Sequence, residues 1–233
     1  EHYGALVLPL RPIVFGGDDV TFVCHGRLGL ALASRYLGSF ATQRLPDGLP
    51  LSACAGVAIV HTRAPFSRAY ELADALCGSA KKRSREREGT SWLDAHVALD
   101  SLGEPLTQVR QRRYARADAR LDWRPWHVAP AGGDGASWTS FVELVGVCRE
   151  LTASQRRYLM DALATGDTAA RTALSHLRFR GRSFPAHIFN QSLGDGWKAM
   201  RPGPDAGQGT PLYDPLELFE YAWEVDSTGV VTG

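Results

Sequence analysis

Four consecutive residues, Gly16-Gly17-Asp18-Asp19, bring together the backbone freedom and the side chains that metal-dependent phosphate chemistry uses. They lie between two short apolar runs, Pro-Ile-Val-Phe at 12–15 and Val-Thr-Phe-Val-Cys at 20–24. Such runs around two glycines predict a tight β-hairpin, because glycine reaches the positive φ that short turns demand. A hairpin has no need of carboxylates at its tip. Two adjacent ones, beside backbone that a phosphate chain can approach closely, suit a divalent cation and a nucleotide. The plainer alternative is a Gly-Gly turn with solvated aspartates, and the tetrapeptide alone does not choose between them.

The elements that would hold this tip can be read from periodicity. After the hairpin, residues 26–37 place Leu28, Ala31, Leu32, Arg35 and Tyr36 at helical spacing, and Pro46-Asp47-Gly48 breaks the chain. Residues 51–61 form a run of small and β-branched residues expected as a buried strand. In residues 65–83, Ala69, Leu72, Ala73, Leu76, Cys77 and Ala80 make one apolar stripe, the clearest helix signal in the chain. Residues 92–99 alternate as a last strand. The order β-β-α-β-α-β predicts an α+β fold, a mixed sheet with its helices on one face. Beyond it, residues 102–124 are arginine-rich, and the turn at 123–126 with residues 130–135 reads as a linker. Helices are expected over 140–150, over 153–163 behind the capping box Thr152-Ala-Ser-Gln155, and over 167–178. Residues 194–211 are Gly/Pro-rich and expected as a mobile loop. Asp214-Pro215 would cap a closing helix over 216–225. This divides the chain into 1–126, a linker at 127–139 and a helical region at 140–233.

Composition narrows the function classes. A net charge of +1 over 233 residues argues against a globally basic nucleic-acid binder. No run approaches the roughly 18 apolar residues of a membrane span. The four cysteines, Cys24, Cys54, Cys77 and Cys148, are far apart and form no C-x-x-C, so buried free thiols in a cytoplasmic protein are expected.

With the hairpin, the following helix, the strand Ser52-Ala-Cys-Ala-Gly-Val-Ala-Ile59 and the helix opened by Pro65-Phe66 and closing on Ala80-Lys81, the stretch 10–126 resembles a nucleotidyl-cyclase or polymerase palm. It is most similar to the palm of the large subunit of type III CRISPR effector complexes, which makes cyclic oligoadenylates from ATP. Diguanylate cyclases are more distant. Their Ala-Asp and Ala-Lys pairs, seven residues apart, match Ala73-Asp74 and Ala80-Lys81, but their hairpin signature departs from Gly-Gly-Asp-Asp-Val. The resemblance implies a ferredoxin-like palm, lacking its first strand and helix here, since only residues 1–10 precede the hairpin. It implies an enzyme in which a 3′-hydroxyl attacks an α-phosphate and expels pyrophosphate, assisted by two Mg²⁺ or Mn²⁺ ions. Asp18 and Asp19 would be the ligands, Gly16 and Gly17 would leave room for the nucleotide, Ser52 could meet a base edge, and Lys81 would neutralise triphosphate charge. A further carboxylate comes from the preceding strand in related palms. A second palm would be the partner, and the setting would be bacterial antiviral defence. The alternative is a catalytically inactive palm serving as a nucleotide sensor or scaffold in a nucleoprotein assembly.

The remaining polar residues have plainer readings. The run Lys81-Lys82-Arg83-Ser84-Arg85-Glu86-Arg87 suits a solvated helix end favoured by the helix dipole. Arg110, Arg112, Arg113, Arg116 and Arg120 suit a surface helix, though Trp123 and Trp126 nearby allow base stacking and hence RNA contact. Asp94 and His96 share a face at period two and are expected as an edge-strand pair. His25 and His61 are expected at strand ends. Tyr158, Trp197 and Trp223 are expected in the core of the C-terminal region.

Overall fold

The computed structural model of the chain describes residues 10–99, 102–116, 119–129, 136–188, 199–201, 207–225 and 231–232. Strands β1 (Leu10–Gly16) and β2 (Asp19–Cys24) form the expected hairpin, paired from Leu10 opposite Cys24 to Gly16 opposite Asp19. The register slips between Pro12 and Val14, beside the one residue of the strand with no N–H to donate. Gly17 has φ 61° and Asp18 is not at positive φ, the pattern of a type II′ turn, which calls for glycine at the first central position.

A second sheet has the order β3-β4-β5, formed by β3 (Cys54–Val60), β4 (Ser91–Ala98) and β5 (Trp126–Ala129). The pair β3/β4 is parallel and β4/β5 antiparallel, so the sheet is mixed and the fold α+β, as expected. Parallel strands need a crossover, and helix α2 (Phe66–Glu86) supplies it. Helix α1 (Gly29–Ala41) precedes β3, and α3 (Leu106–Tyr114) follows β4.

The one-sided arrangement of helices is corrected. Successive strand residues face opposite sides of a sheet. In β3, a Cβ on Gly56 would lie 2.1 Å from the Ala73 carbonyl oxygen and 2.4 Å from the Cys77 nitrogen, so that side is sealed by α2. The next residue, Val57, has its Cγ1 3.1 Å from where a Cβ on Gly29 of α1 would stand. Helices α1 and α2 therefore cover opposite faces. The physical reason is visible in β4, buried at all eight positions: a strand needing cover on both sides draws helices to both.

The second half of the chain joins this framework. Helices α4 (Trp138–Glu150), α5 (Ala153–Thr165) and α6 (Asp167–Phe179) lie close to their expected bounds. Both halves of the Thr152–Gln155 capping box form. Phe141, Val145 and Leu218 pack with Leu30, Leu37, Leu93 and Trp126 in one core cluster. Residues of α5 and α6 pack with Tyr114 and Leu121 in another. Trp126–Ala129, where the linker was expected to begin, are strand β5, and residues 130–135 lie outside the described residues.

Three local expectations change here. In the stretch expected as a mobile loop, β6 (Ala199–Arg201) and β7 (Gly207–Gly209) pair antiparallel; residues 194–198 and 202–206, including Trp197, lie outside the described residues. Helix α7 spans Tyr213–Leu218, continued by a 3-10 turn at Phe219–Tyr221, so Asp214 is inside the helix and does not cap it. The expected helix stops short of 225, where β8 (Glu224–Val225) pairs with β9 (Val231–Thr232). Among the described residues, no helix is long and apolar enough to cross a membrane.

Candidate functional site

Gly16, Gly17, Asp18 and Asp19 are all exposed. Asp18 occupies the turn and Asp19 opens β2. Nothing lies within 4 Å of the position a Cβ would take at Gly16 or Gly17, so the approach to the turn backbone is open.

The position of the hairpin relative to the sheet follows from its contacts. Beyond the end of β2, a Cβ on Gly26 would stand 3.5 Å from Ile59 Cγ2, and one on Gly29 would lie 3.8 Å from Cys24 Sγ, close to Val57. The Cys77 thiol of α2 donates to the Cys54 carbonyl at the start of β3 at 3.4 Å. The chain leaving β2 thus passes against the second half of β3, and the two strands belong to different sheets.

Cys77 is the best reporter of this neighbourhood. Burial pushes its thiol pKa up; Lys81 opposes that, while Cys54, Asp74 and Asp19 add to it. Positions 74, 77 and 81 are spaced i, i+3, i+7 along α2 and so share one helix face. Lys81, an expected site residue, thus shares a helix face with Asp74 and Cys77. Asp74 was not among the expected site residues; its i, i+7 spacing to Lys81 was the available signal. Ser52 is exposed and precedes β3 by two residues.

Among the described residues, no three His, Cys, Asp or Glu side chains converge as a metal cluster. Mg²⁺ is commonly held by one or two carboxylates, with water and substrate phosphates completing the shell. Asp18 and Asp19 supply that number of carboxylates on an open turn, so the donor set fits such an ion.

Elsewhere the structure revises the polar candidates. Asp94 and His96 lie on the central strand, 0% and 2% exposed, and not on an edge. Arg110 is buried with them and grips Asp94 through two hydrogen bonds, 2.9 and 2.6 Å. Trp123 and Trp126 are buried, which removes them as base-stacking platforms, since a buried ring has no face to offer. Arg83 of the basic run is also buried, 3.5 Å from Glu86, whereas Lys81, Lys82 and Arg85 are exposed. His25 and His61 follow β2 and β3, as expected, and each accepts a hydrogen bond at Nδ1 from the backbone two residues on. Tyr158 is 43% exposed and so not core. Trp223 is half-buried beneath the Arg27 guanidinium, 4.9 Å away.

A cleft of about 250 Å³ between α2 and α3 includes His96, Leu72 and Val109 in its lining. It does not include the hairpin. No protein-family model matches the chain, and no curated protein matches it significantly.

Proposed function

We propose that the chain is a palm-type nucleotidyltransferase or cyclase that joins nucleoside triphosphates, ATP favoured, into a cyclic oligonucleotide signal, in the setting of bacterial antiviral defence. The observation that carries this reading is the exposed Gly-Gly-Asp-Asp hairpin tip, with Gly17 at φ 61° and nothing within 4 Å of where a Cβ would stand at Gly16 or Gly17. Asp18 and Asp19 hold Mg²⁺ or Mn²⁺ in this reading, and the ions supply charge neutralisation and a more acidic 3′-hydroxyl. Gly16 and Gly17 leave the triphosphate a clear approach to the turn. Lys81 offsets phosphate charge from the α2 side as a flexible point cation. Ser52 is available to a base edge near the start of β3. A second palm completes the active assembly.

The test incubates the full-length protein with each labelled nucleoside triphosphate and Mg²⁺ or Mn²⁺. Pyrophosphate release and nuclease-resistant products are then followed by chromatography. Asp18→Ala and Asp19→Ala should each lower turnover by about a hundredfold or more, with the melting temperature unchanged. Full activity in both variants would sink the assignment.

A second reading, a nucleotide-binding sensor or scaffold within a larger assembly, is favoured by the hairpin's apolar surface. Phe15 is 82% exposed, and Ile13, Val14 and Val23 are each more than 40% exposed. An apolar patch of this kind suits burial against a partner. Metal-dependent nucleotide binding without pyrophosphate release would select this reading.

A further inference from the structure

The end of α6 carries the sequence Arg178-Phe-Arg-Gly-Arg182, and Phe179 is 91% exposed, the most exposed large apolar side chain among the described residues. The turn that follows the helix is a Schellman motif. The Gly181 N–H donates to the Arg178 carbonyl at 2.9 Å and the Arg182 N–H to the Leu177 carbonyl at 3.0 Å, with Gly181 at φ 78°. Phe179 is therefore presented from a closed helix end. Three residues earlier on the same helix, His176 is exposed and meets Tyr158 of α5 edge-to-face, ring centroids 6.3 Å apart. His176 and Phe179 are neighbours on the helix surface at this spacing, so three aromatic rings line one exposed stretch of the α5–α6 pair. Arg178 and Arg180, both exposed, flank Phe179 in sequence and the half-buried Arg182 follows, and among the described residues none of the three side chains makes an ion pair or hydrogen bond. Asp161, also exposed, is the acidic residue of α5 nearest in sequence to Tyr158.

A helix dipole accounts for cations at a C-terminus. It does not account for a solvated phenyl ring among them. We infer that the Tyr158–His176–Phe179 row, with Arg178, Arg180 and Arg182, is a binding surface for single-stranded nucleic acid. The rings offer faces on which unpaired bases stack, and the guanidinium groups neutralise the intervening phosphates. An acidic peptide would use the arginines and leave the rings idle. A membrane would call for a broader apolar face than one phenyl between arginines. The inference is independent of the hairpin site and of the reading given to it.

The test uses the full chain and a fluorescein-labelled oligouridylate of about twelve nucleotides, with binding followed by anisotropy. Binding should weaken steeply between about 50 mM and 200 mM salt. Phe179→Ala should weaken it about tenfold, with Phe179→Tyr retaining most of the affinity. Each of Arg178→Gln, Arg180→Gln and Arg182→Gln should reduce the salt slope by about 0.7. Unchanged thermal melting of these surface variants keeps the comparison free of folding effects. No binding of the oligouridylate, equal binding by Phe179→Ala, or equally tight binding of an RNA duplex would overturn the inference. So would Phe179-dependent binding to phosphatidylserine vesicles without binding to RNA.

Discussion

His96 is held by burial as a neutral imidazole in a positive surround. Its pKa is lowered to about 4, first by burial and then by Arg124, Arg110 and Arg113, with Glu217 opposing. Its Nδ1 is buried without a hydrogen-bond partner, and Tyr114 packs edge-on against the ring. Because the unfolded chain takes up this proton near pH 6.5 and the folded one only near 4, the stability that His96 contributes is complete above pH 6.5. It is lost as pH falls from 6.5 toward 4, by about 3 kcal/mol in all. Asp214 acts in the opposite sense. Burial raises its carboxyl to about 6, against Arg124, so its unfavourable contribution is relieved as pH falls through that value. A difference measurement separates the two. Urea denaturation of the wild type and of His96→Gln at a series of pH values should show the wild type losing up to about 3 kcal/mol relative to the variant between pH 6.5 and 4. A constant gap across that range would remove His96 as the source.

At the level of elements, the seat of α2 on β3 is the most exacting contact. Gly56 is fixed in type by proximity: a Cβ would meet Ala73 O, Cys77 N and Leu76 Cβ at 2.1, 2.4 and 2.8 Å. Two of those three are backbone atoms, which cannot turn aside as a side-chain end can. Gly56→Ala should cost on the order of 3 kcal/mol, because α2 must lift from the sheet. The same displacement moves Lys81, so under the proposed function nucleotide binding should weaken along with stability. A chemical-denaturation midpoint equal to wild type would show that α2 is not seated this closely. The capping box at Thr152 and the Schellman turn after α6 are elements of another kind, in which the local sequence alone specifies the geometry.

Across the whole molecule, the two halves of the chain are joined by a buried ionic network centred on Arg124, itself 0% exposed. Its guanidinium makes an ion pair with Asp214, Nε to Oδ1 at 3.2 Å, and a close hydrogen bond to Glu217, both on α7. It also donates to the Ala95 carbonyl of β4 at 3.2 Å and lies 5.1 Å over the Tyr114 ring. Asp214 Oδ2 accepts the backbone N–H groups of Trp123 and Arg124, at 2.9 and 2.8 Å. One side chain thus ties the central strand, α3 and α7 together. Arg124→Met should leave two buried carboxylates without their cation and cost about 3–5 kcal/mol, a large part of a typical domain's stability. The prediction fails if Arg124→Met unfolds within about 1 kcal/mol of wild type in urea.

The sequence by itself determined those features whose causes are local. The glycine turn at 16–17, the stripe of α2 and the Thr152–Gln155 cap all depend on residues within one or two turns of one another, and all were legible before the fold was seen. What only the tertiary structure decided depends on partners far apart along the chain. Asp94 looked like half of an edge pair, but Arg110, sixteen residues on, claims it in the interior. Asp214 had the form of a helix cap, but Arg124 draws it into the core from ninety residues away. Helices went to both faces of the sheet because β4 is buried at all eight positions, and no local pattern states which helix will provide the cover. The hairpin carboxylates could be named from the chain, whereas the close seat of α2 against Gly56 came only from folding. Long-range burial and charge pairing are properties of the packed molecule, and a local reading of residue types cannot contain them.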